Sequence, residues 1–141
     1  MAVNISPDKH IRKAIFDKIN NIVVSGKIIP CYDSRATNAP SNYVLLTAQT
    51  KEVEKSNKCD YRWTTSILIE IYTKVTSSGN TGSRVLLNDI EQAVYTLLNP
   101  KLTVSGFTNI TQNITFENSL ETITDTEIIF RSFLRLNLVL K

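Results

Sequence analysis

One stretch, residues 62–75, constrains the fold more than any other part of this 141-residue chain. Successive side chains of a β-strand point to opposite faces, so its alternation predicts what each face carries. One face is apolar or β-branched throughout: Trp63, Thr65, Ile67, Ile69, Ile71, Thr73 and Val75. The other is mostly polar: Arg62, Thr64, Ser66, Leu68, Glu70, Tyr72 and Lys74. The pattern predicts the central strand of an antiparallel sheet with one covered face. At about 3.3 Å per residue this strand is roughly 45 Å long, so we expect its far end to bend or to leave the body of the domain.

Two amphipathic segments predict helices. Ser6 and Pro7 are a favourable helix start, because a hydroxyl caps the first turn and proline needs no partner there. Apolar residues then recur at helical spacing: Ile11, Ala14, Ile15, Ile19 and Ile22. Gly26 is expected to stop this helix. A second helix is predicted from about residue 83 to residue 98, before Pro100. Because that helix lies between two strands, we expect both helices to cover the same side of the sheet.

The segments between the first helix and the central strand predict two strands and a charged connection. Residues 27–32 predict a short strand that Pro30 confines to an edge or a strand end, since proline cannot donate to a ladder. Residues 43–48 predict the next strand. Residues 49–57 are polar and charged, and a solvated turn is the default for such a run, with a partner contact as the alternative.

The last third of the chain predicts a long hairpin and completes the fold class. Its strands cover about residues 108–118 and 124–140, joined by a turn near residues 118–122. The element order is therefore α-β-β-β-α-β-β. The predicted architecture is α+β, with two helices packed on one face of a mainly antiparallel sheet, in a single domain spanning residues 1–141.

The composition and the motifs argue against an enzyme and against a metal-binding protein. Hydrophobic residues at 42% and charged residues at 21% are typical of a globular protein, and a net charge of +3 is too small to indicate nucleic acid by itself. The N-terminus carries no signal-peptide pattern, so we expect a protein made inside a cell. His10 is the only histidine, and no phosphate loop, nucleophile elbow or metal motif occurs. Cys31 and Cys59 are expected to be free thiols, with a disulfide as the alternative. We expect no enzyme, no cofactor and no metal.

The order of elements and several stretches resemble the tail terminator and tail-completion proteins of tailed bacteriophages. The resemblance covers nearly the whole chain and lies in pattern, without an invariant signature. It rests on the opening helix at 9–23, the strand segment Tyr43-Val44-Leu45-Leu46, the segment Ile69-Glu70-Ile71-Tyr72-Thr73, the helix at 86–98, the stretch 98–104 and the ending Phe133-Leu134-Arg135-Leu136-Asn137-Leu138-Val139.

This resemblance implies a structural virion protein that acts in a closed ring, commonly a hexamer, at the head-proximal end of the tail. The ring would stop growth of the tail tube and join the tail to the head or neck. The implied partners are other copies of the chain, the tail tube protein and a neck or head-completion protein, with DNA only passing through the channel and no membrane. The implied location is the virion tail or neck, after assembly in the host cytoplasm. A head-to-tail ring would also protect long edge strands from open-ended pairing.

We expect neighbours to meet at the ends of the 62–75 strand and of the closing hairpin. The charged stretch 51–55 and the loop 34–42 are the expected contacts to tube or neck, with plain solvent-facing loops as the alternative. The candidate contact residues are Lys51, Glu52, Glu54, Lys55, Arg35, Tyr72, Lys74, Glu117, Arg131 and Arg135.

Two other functions fit the same sequence. The nearest is a neck or connector ring protein, or a minor tail protein, built on the same fold. The other is a nucleic-acid-binding α+β module, because one sheet face would combine basic and aromatic groups. Its residues would be Arg62, Thr64, Tyr72, Arg131, Phe133 and Arg135.

Overall fold

The computed structural model describes residues 6–33, 41–55, 61–76, 84–117, 119–123 and 126–141, with the backbone alone for residues 54, 55, 61 and 76. These residues form two helices and eight strands. The helices are α1 (Asp8–Ile19) and α2 (Arg84–Leu98). The strands are β1 (Ile22–Val24), β2 (Lys27–Ile29), β3 (Cys31–Asp33), β4 (Asn42–Lys55), β5 (Tyr61–Thr76), β6 (Asn109–Phe116), β7 (Leu120–Ile123) and β8 (Glu127–Leu140).

The main sheet has six strands, with β5 at its centre as predicted. The strand order is β3-β4-β5-β8-β6, and β7 pairs with β8 beyond the end of β6. Every pairing in this sheet is antiparallel except that of β3 with β4. β5 is paired with β4 from Tyr61 to Thr73 and with β8 from Trp63 to Thr76. Both ends of β5 are therefore paired within the sheet, the first with β4 and the last with β8.

Both helices cover one face of this sheet, and the core lies between the two layers. From β5, Ile67, Ile69 and Ile71 are buried, and they meet the buried residues Ile11, Ile15 and Ile19 of α1, Leu87, Ile90 and Val94 of α2, and Leu134, Leu136 and Leu138 of β8. Each such side chain stabilises the fold by roughly 1.5–3 kcal/mol when fully buried. The predicted α+β class, with two helices on one face of a mainly antiparallel sheet, is confirmed.

The predicted first helix is too long, because its last residues form a separate hairpin. α1 ends at Ile19, and β1 pairs with β2 in antiparallel register. The turn between them has positive φ at both Ser25 and Gly26, the geometry of a tight two-residue hairpin. Gly26 therefore marks a hairpin turn rather than a helix stop. Pro30 separates β2 from β3, so the predicted strand at 27–32 is two short strands.

The predicted turn in the charged run 49–57 is wrong up to residue 55, because β4 continues through it. Residues 49–55 pair with β5, and the ladder is interrupted only by an irregularity between Leu46 and Gln49. There, Thr47 and Ala48 together oppose one residue of β5, so the side-chain alternation shifts by one position. A long partner strand thus extends β4 into a sequence whose composition alone favours a loop.

The closing hairpin is present, with one strand more than predicted. β6 and β8 fall inside the predicted ranges, but Leu120–Ile123, of which residues 120–122 were assigned to the turn, forms β7 against Ile128 to Arg131. In the described part of the chain, neither helix is long and apolar enough to cross a bilayer. The same residues hold no group of three or more His, Cys, Asp or Glu side chains placed to bind a metal ion.

Candidate assembly surfaces

The face of the main sheet opposite the two helices is the first candidate surface, and we call it the open face. The alternation of β5 directs its even-numbered side chains to this face. The residues paired with them on β4 and β8 point to the same face. These side chains are half-buried or exposed: Tyr43, Leu45, Thr50 and Glu52 of β4, Thr64, Ser66, Leu68, Glu70 and Tyr72 of β5, and Arg131, Phe133, Arg135 and Asn137 of β8.

One half of the open face carries a row of three tyrosines from three adjacent strands, which we call the tyrosine cluster. Tyr32 and Tyr43 meet edge to face, with ring centroids 5.9 Å apart and an interplanar angle of 82°. Tyr43 and Tyr72 stack at 4.8 Å with an angle of 10°. Aromatic pairs of this kind contribute about 0.5–1.5 kcal/mol beyond the area they bury. The cluster is therefore a rigid aromatic surface and not a set of separate solvent-facing side chains.

The polar atoms of the tyrosine cluster are neutral phenols beside one acid and one base. Burial raises the pKa of Tyr72, and the Glu70 carboxylate raises it further, whereas Arg131 acts in the opposite direction. The Tyr72 hydroxyl donates a hydrogen bond to Glu70 Oε1 at 3.3 Å. Burial also raises the pKa of Tyr43. Both phenols thus stay protonated at neutral pH, and they offer hydrogen bonds and ring surface rather than a catalytic base.

A cavity of about 290 Å³ lies beside the tyrosine cluster. It is lined by Tyr43, Tyr72, Lys74, Thr122, Ile129 and Arg131. Tyrosine and arginine are the residue types enriched where protein–protein contacts carry most of their energy. This half of the open face therefore has the composition of a protein-binding surface.

The other half of the open face is a polar groove of about 490 Å³. Hydroxyl and amide side chains dominate its walls: Thr50, Thr64, Ser66, Thr111, Asn113 and Asn137, with Glu52 also in the lining. Thr50 Oγ1 and Ser66 Oγ are hydrogen-bonded at 2.6 Å. Arg135 lies between the two halves, where its Nε donates to Glu117 Oε1 at 2.9 Å and its Nη1 donates to Ser66 Oγ at 3.1 Å.

The structure brings together half of the predicted contact residues. Tyr72, Lys74 and Arg131 line one cavity, and Glu117 and Arg135 form an ion pair. Glu52 lies apart from both groups, in the polar groove. Arg35 and most of the loop 34–42 lie outside the described residues, as do the side chains of Glu54 and Lys55 and all of Cys59.

Lys51 lies on the helix side of the sheet. Its Nζ donates to Ser6 Oγ at 2.8 Å and to Asp8 Oδ2 at 2.9 Å, and lies 5.9 Å from the centre of the Trp63 ring. The shift in alternation at Thr47 and Ala48 is the cause, because it directs odd-numbered residues of the second half of β4 towards α1. Lys51 therefore ties β4 to the start of α1.

The two edges of the main sheet differ in length and protection. β3 has only three residues, and its Cys31 N–H donates to the Asn20 side chain at 3.1 Å. The other edge consists of β6 followed by β7 and runs along β8 from Ile128 to Leu140. Glu117 N donates to Phe133 O at 2.9 Å, which by the antiparallel pattern directs the backbone groups of Ile114 and Phe116 away from the sheet. A long edge of this kind is a template for pairing or packing.

Sequence reasoning missed two features of these surfaces. Tyr32 and Tyr43 were not among the predicted contacts, although each falls on a strand before β5. Their partnership depends on the register between β3, β4 and β5, which the sequence does not show. The β1–β2 hairpin was missed as well, because Ile22 continues the helical spacing of α1 and the first strand was therefore assigned to the helix. The only signal was the β-branched run Ile22-Val23-Val24 before Ser25 and Gly26.

The comparisons with known proteins identify a similar fold. No protein-family model matches the sequence, and no curated protein matches it either. Among solved structures, a chain from the virion of a native gene transfer agent particle superposes with a TM-score of 0.62. The two chains are 12% identical, and the match covers 96% of this chain and 98% of the other. This chain therefore shares its fold, over nearly its whole length, with a chain of that particle.

Proposed function

We propose that this chain is a structural protein of a phage-like virion, and that its copies close into a ring at the head-proximal end of the tail. There the ring ends growth of the tail tube and joins the tail to the head or neck. The observation that carries the proposal is the end-to-end likeness to a chain of a gene transfer agent virion, at a TM-score of 0.62. It agrees with the family that the sequence resembles.

The surfaces support an assembly role in two ways. A three-residue protected edge and a long open edge lie on opposite sides of one sheet, and a chain with two different edges suits head-to-tail contacts. The tyrosine cluster with Arg131 offers a rigid surface for a second protein, which we assign to the tail tube or to a neck protein. The proposal includes no catalytic step, no cofactor and no membrane, and DNA only passes through the channel.

The mass of the purified protein in solution, measured by native mass spectrometry over a range of concentrations, tests the ring. We expect one closed oligomer, a hexamer, and electron micrographs that show a ring with a central channel. A strict monomer at every concentration, together with absence of the protein from purified particles, would contradict the proposal.

Deletion of the gene from the element that encodes it separates a terminator from a neck protein. A terminator predicts tails of irregular and excessive length, because nothing stops addition of tube subunits. A neck or connector protein, or a minor tail protein, predicts tails of normal length that do not join heads. Steeply salt-dependent binding of the purified chain to DNA would favour the nucleic-acid alternative. The structure gives that alternative less support, because the Arg135 guanidinium is already paired with the Glu117 carboxylate.

A further inference from the structure

The main sheet has a second open edge, on the outer side of β4. β3 accompanies β4 only as far as Leu46, and among the described residues no strand pairs with that side of β4 beyond it. Backbone hydrogen bonding alternates from side to side along each antiparallel strand. The register of β8 with β5, and of β5 with β4, therefore directs the backbone groups of Lys51 and Val53 away from the sheet. We call residues 50–55 the β4 edge.

The opposite side of the sheet carries a matching open strand in β6. Lys101 Nζ donates to the Ile110 carbonyl at 2.8 Å and covers the start of this strand. After it, the backbone groups of Ile114 and Phe116 are directed away from the sheet, and within the described part of the chain no strand pairs with them on that side. We call residues 111–116 the β6 edge. Each of the two edges thus offers main-chain donors and acceptors to a further strand.

The two edges run in opposite directions. β4, β5, β8 and β6 are consecutive in the sheet and antiparallel, so the first and the last of these four strands point opposite ways. When a second copy in the same orientation places its β4 edge beside the β6 edge, the new pair is therefore antiparallel, like the other pairs of this run. Repetition of this step gives one continuous sheet, and closure into a ring leaves neither edge open.

The side chains of the two edges also match face by face. On the helix side, each edge exposes a large apolar residue, Val53 to 45% and Phe116 to 54%. On the open face, both edges carry exposed polar side chains: Thr50, Glu52, Thr111, Asn113 and Thr115. Opposite residues of an antiparallel pair point to the same face. Pairing of the two edges therefore joins apolar to apolar and polar to polar.

We propose that the β4 edge of one copy pairs with the β6 edge of the next copy, and that this antiparallel pairing builds the ring. The inference rests on the proposed function for the existence of a ring and names the strands that close it. A second copy is the occupant because the chain itself supplies both halves of the pair, with opposite directions and the same distribution of polar and apolar faces. One subunit cannot join its own edges, because three strand spacings, or roughly 14 Å, separate β4 from β6.

Proline substitutions test the backbone pairing. The N–H groups of Val53 and Phe116 point away from their own sheet, so proline at either position leaves the ladder of the subunit intact and removes a donor to the neighbour. Native mass spectrometry should show monomers for Val53→Pro and Phe116→Pro. The matched controls Val53→Thr and Phe116→Tyr retain the N–H and a similar shape, and they should keep the ring. Rings in both proline variants, with native circular dichroism, would overturn the inference while leaving the proposed function in place.

Disulfide scanning tests which edges meet and does not depend on the proline variants. Glu52 and the odd-numbered residues of the β6 edge point to the open face, so across the proposed contact they form non-hydrogen-bonded pairs. The Cα atoms of such pairs are about 4.5 Å apart, which is within the range for a disulfide. In a Cys59→Ser background, Glu52→Cys is combined in turn with Thr111→Cys, Asn113→Cys or Thr115→Cys and oxidised. Cys31 stays in place, because it is buried.

At least one of the three double variants should give a ladder of disulfide-linked multimers that ends at the ring size, and no single variant should form dimers. Dimers from any single variant would show that like edges meet and would overturn the proposed contact. A wild-type ring together with no multimers from any double variant would overturn it as well. A wild-type chain without any ring would instead remove the proposed function too.

Discussion

Replacing Arg12 by alanine should destabilise the protein far more than its place on the polar side of an amphipathic helix suggests. The guanidinium leaves α1 and reaches the point where β4 departs from regular pairing. It donates to Gln49 Oε1 at 2.8 Å and to Thr47 O at 2.6 Å, and it also bonds to Asp33 at the end of β3. A longer contact, 3.4 Å, joins it to the carbonyl of Leu46. Arg12 therefore holds one helix and two strands together at the irregularity in β4.

The expected loss of unfolding free energy follows from the burial of the Arg12 side chain. The Arg12 side chain is 20% exposed, and hydrogen bonds from a charged donor in such a site contribute about 1.5 kcal/mol each. The bonds to Gln49 and Thr47 thus contribute about 3 kcal/mol together. Asp33 is 55% exposed, so its ion pair adds no more than about 0.5 kcal/mol. We expect Arg12→Ala to lower the free energy of unfolding by about 3 kcal/mol and Arg12→Lys, which keeps one point donor, by about half of that.

Urea titrations followed by circular dichroism measure this difference. All variants are compared at one protein concentration, because the proposed ring would add a concentration-dependent contribution to stability. Lys13→Ala is the control: Lys13 is the next residue, and its ion pair with Asp17 at 3.2 Å is exposed, so about 0.3 kcal/mol is expected. If Arg12→Ala and Lys13→Ala have the same free energy of unfolding, the argument from the Arg12 contacts is refuted.

Two further predictions concern buried groups. Burial, and to a smaller extent the Asp33 carboxylate, raises the pKa of the Cys31 thiol from 9.0 to about 12. Because the native protein holds this proton more tightly than the unfolded chain, the thiol stabilises the fold below pH 9. That contribution to the free energy of unfolding is lost between pH 9 and pH 12, at up to about 1.4 kcal/mol per pH unit. Denaturation midpoints at alkaline pH should therefore fall more steeply for the wild type than for Cys31→Ala, and equal slopes would contradict the shift. The Gln112 amide makes four hydrogen bonds, three of which join β6 to the end of α2 and the segment after it, while the fourth is to Asn109 within β6. Gln112→Leu should lower the free energy of unfolding by about 2 kcal/mol. Thr111→Val, at the exposed neighbouring position, is the control and should change it little. Equal free energies of unfolding for the two variants would refute this role of Gln112.

The parts of the fold that follow from local alternation were predictable. β5 carries its pattern over its whole length, so its central position and covered face followed from residues 62–75 alone. α2 was equally clear, because its apolar residues recur over about four turns and Pro100 ends the pattern. Both segments have one pattern and no competing one, and this is why the α+β class could be derived without the structure.

The candidate surfaces were less predictable, because they depend on register between distant strands. The tyrosine cluster joins three strands whose offsets no local pattern specifies. Lys51 was expected at a partner surface, but the direction of its side chain depends on one extra residue in β4. The β1–β2 hairpin was hidden for a different reason. Ile22 continues the helical spacing of α1, and only the β-branched residues after it favour a strand over another helical turn.

The irregularity at Thr47 and Ala48 links these observations, because it also divides the open face. Before it, β4 sends Tyr43 to the open face, next to Tyr72, and this half is aromatic. After it, the alternation has shifted, so the open face receives Thr50 and Glu52 while odd-numbered residues turn towards α1. Removing the extra residue would exchange these two sets over the second half of β4. The chain could then not keep both its contacts to α1 and its polar groove. The irregularity that directs β4 side chains to the helix layer thus also separates the aromatic half of the open face from the polar half.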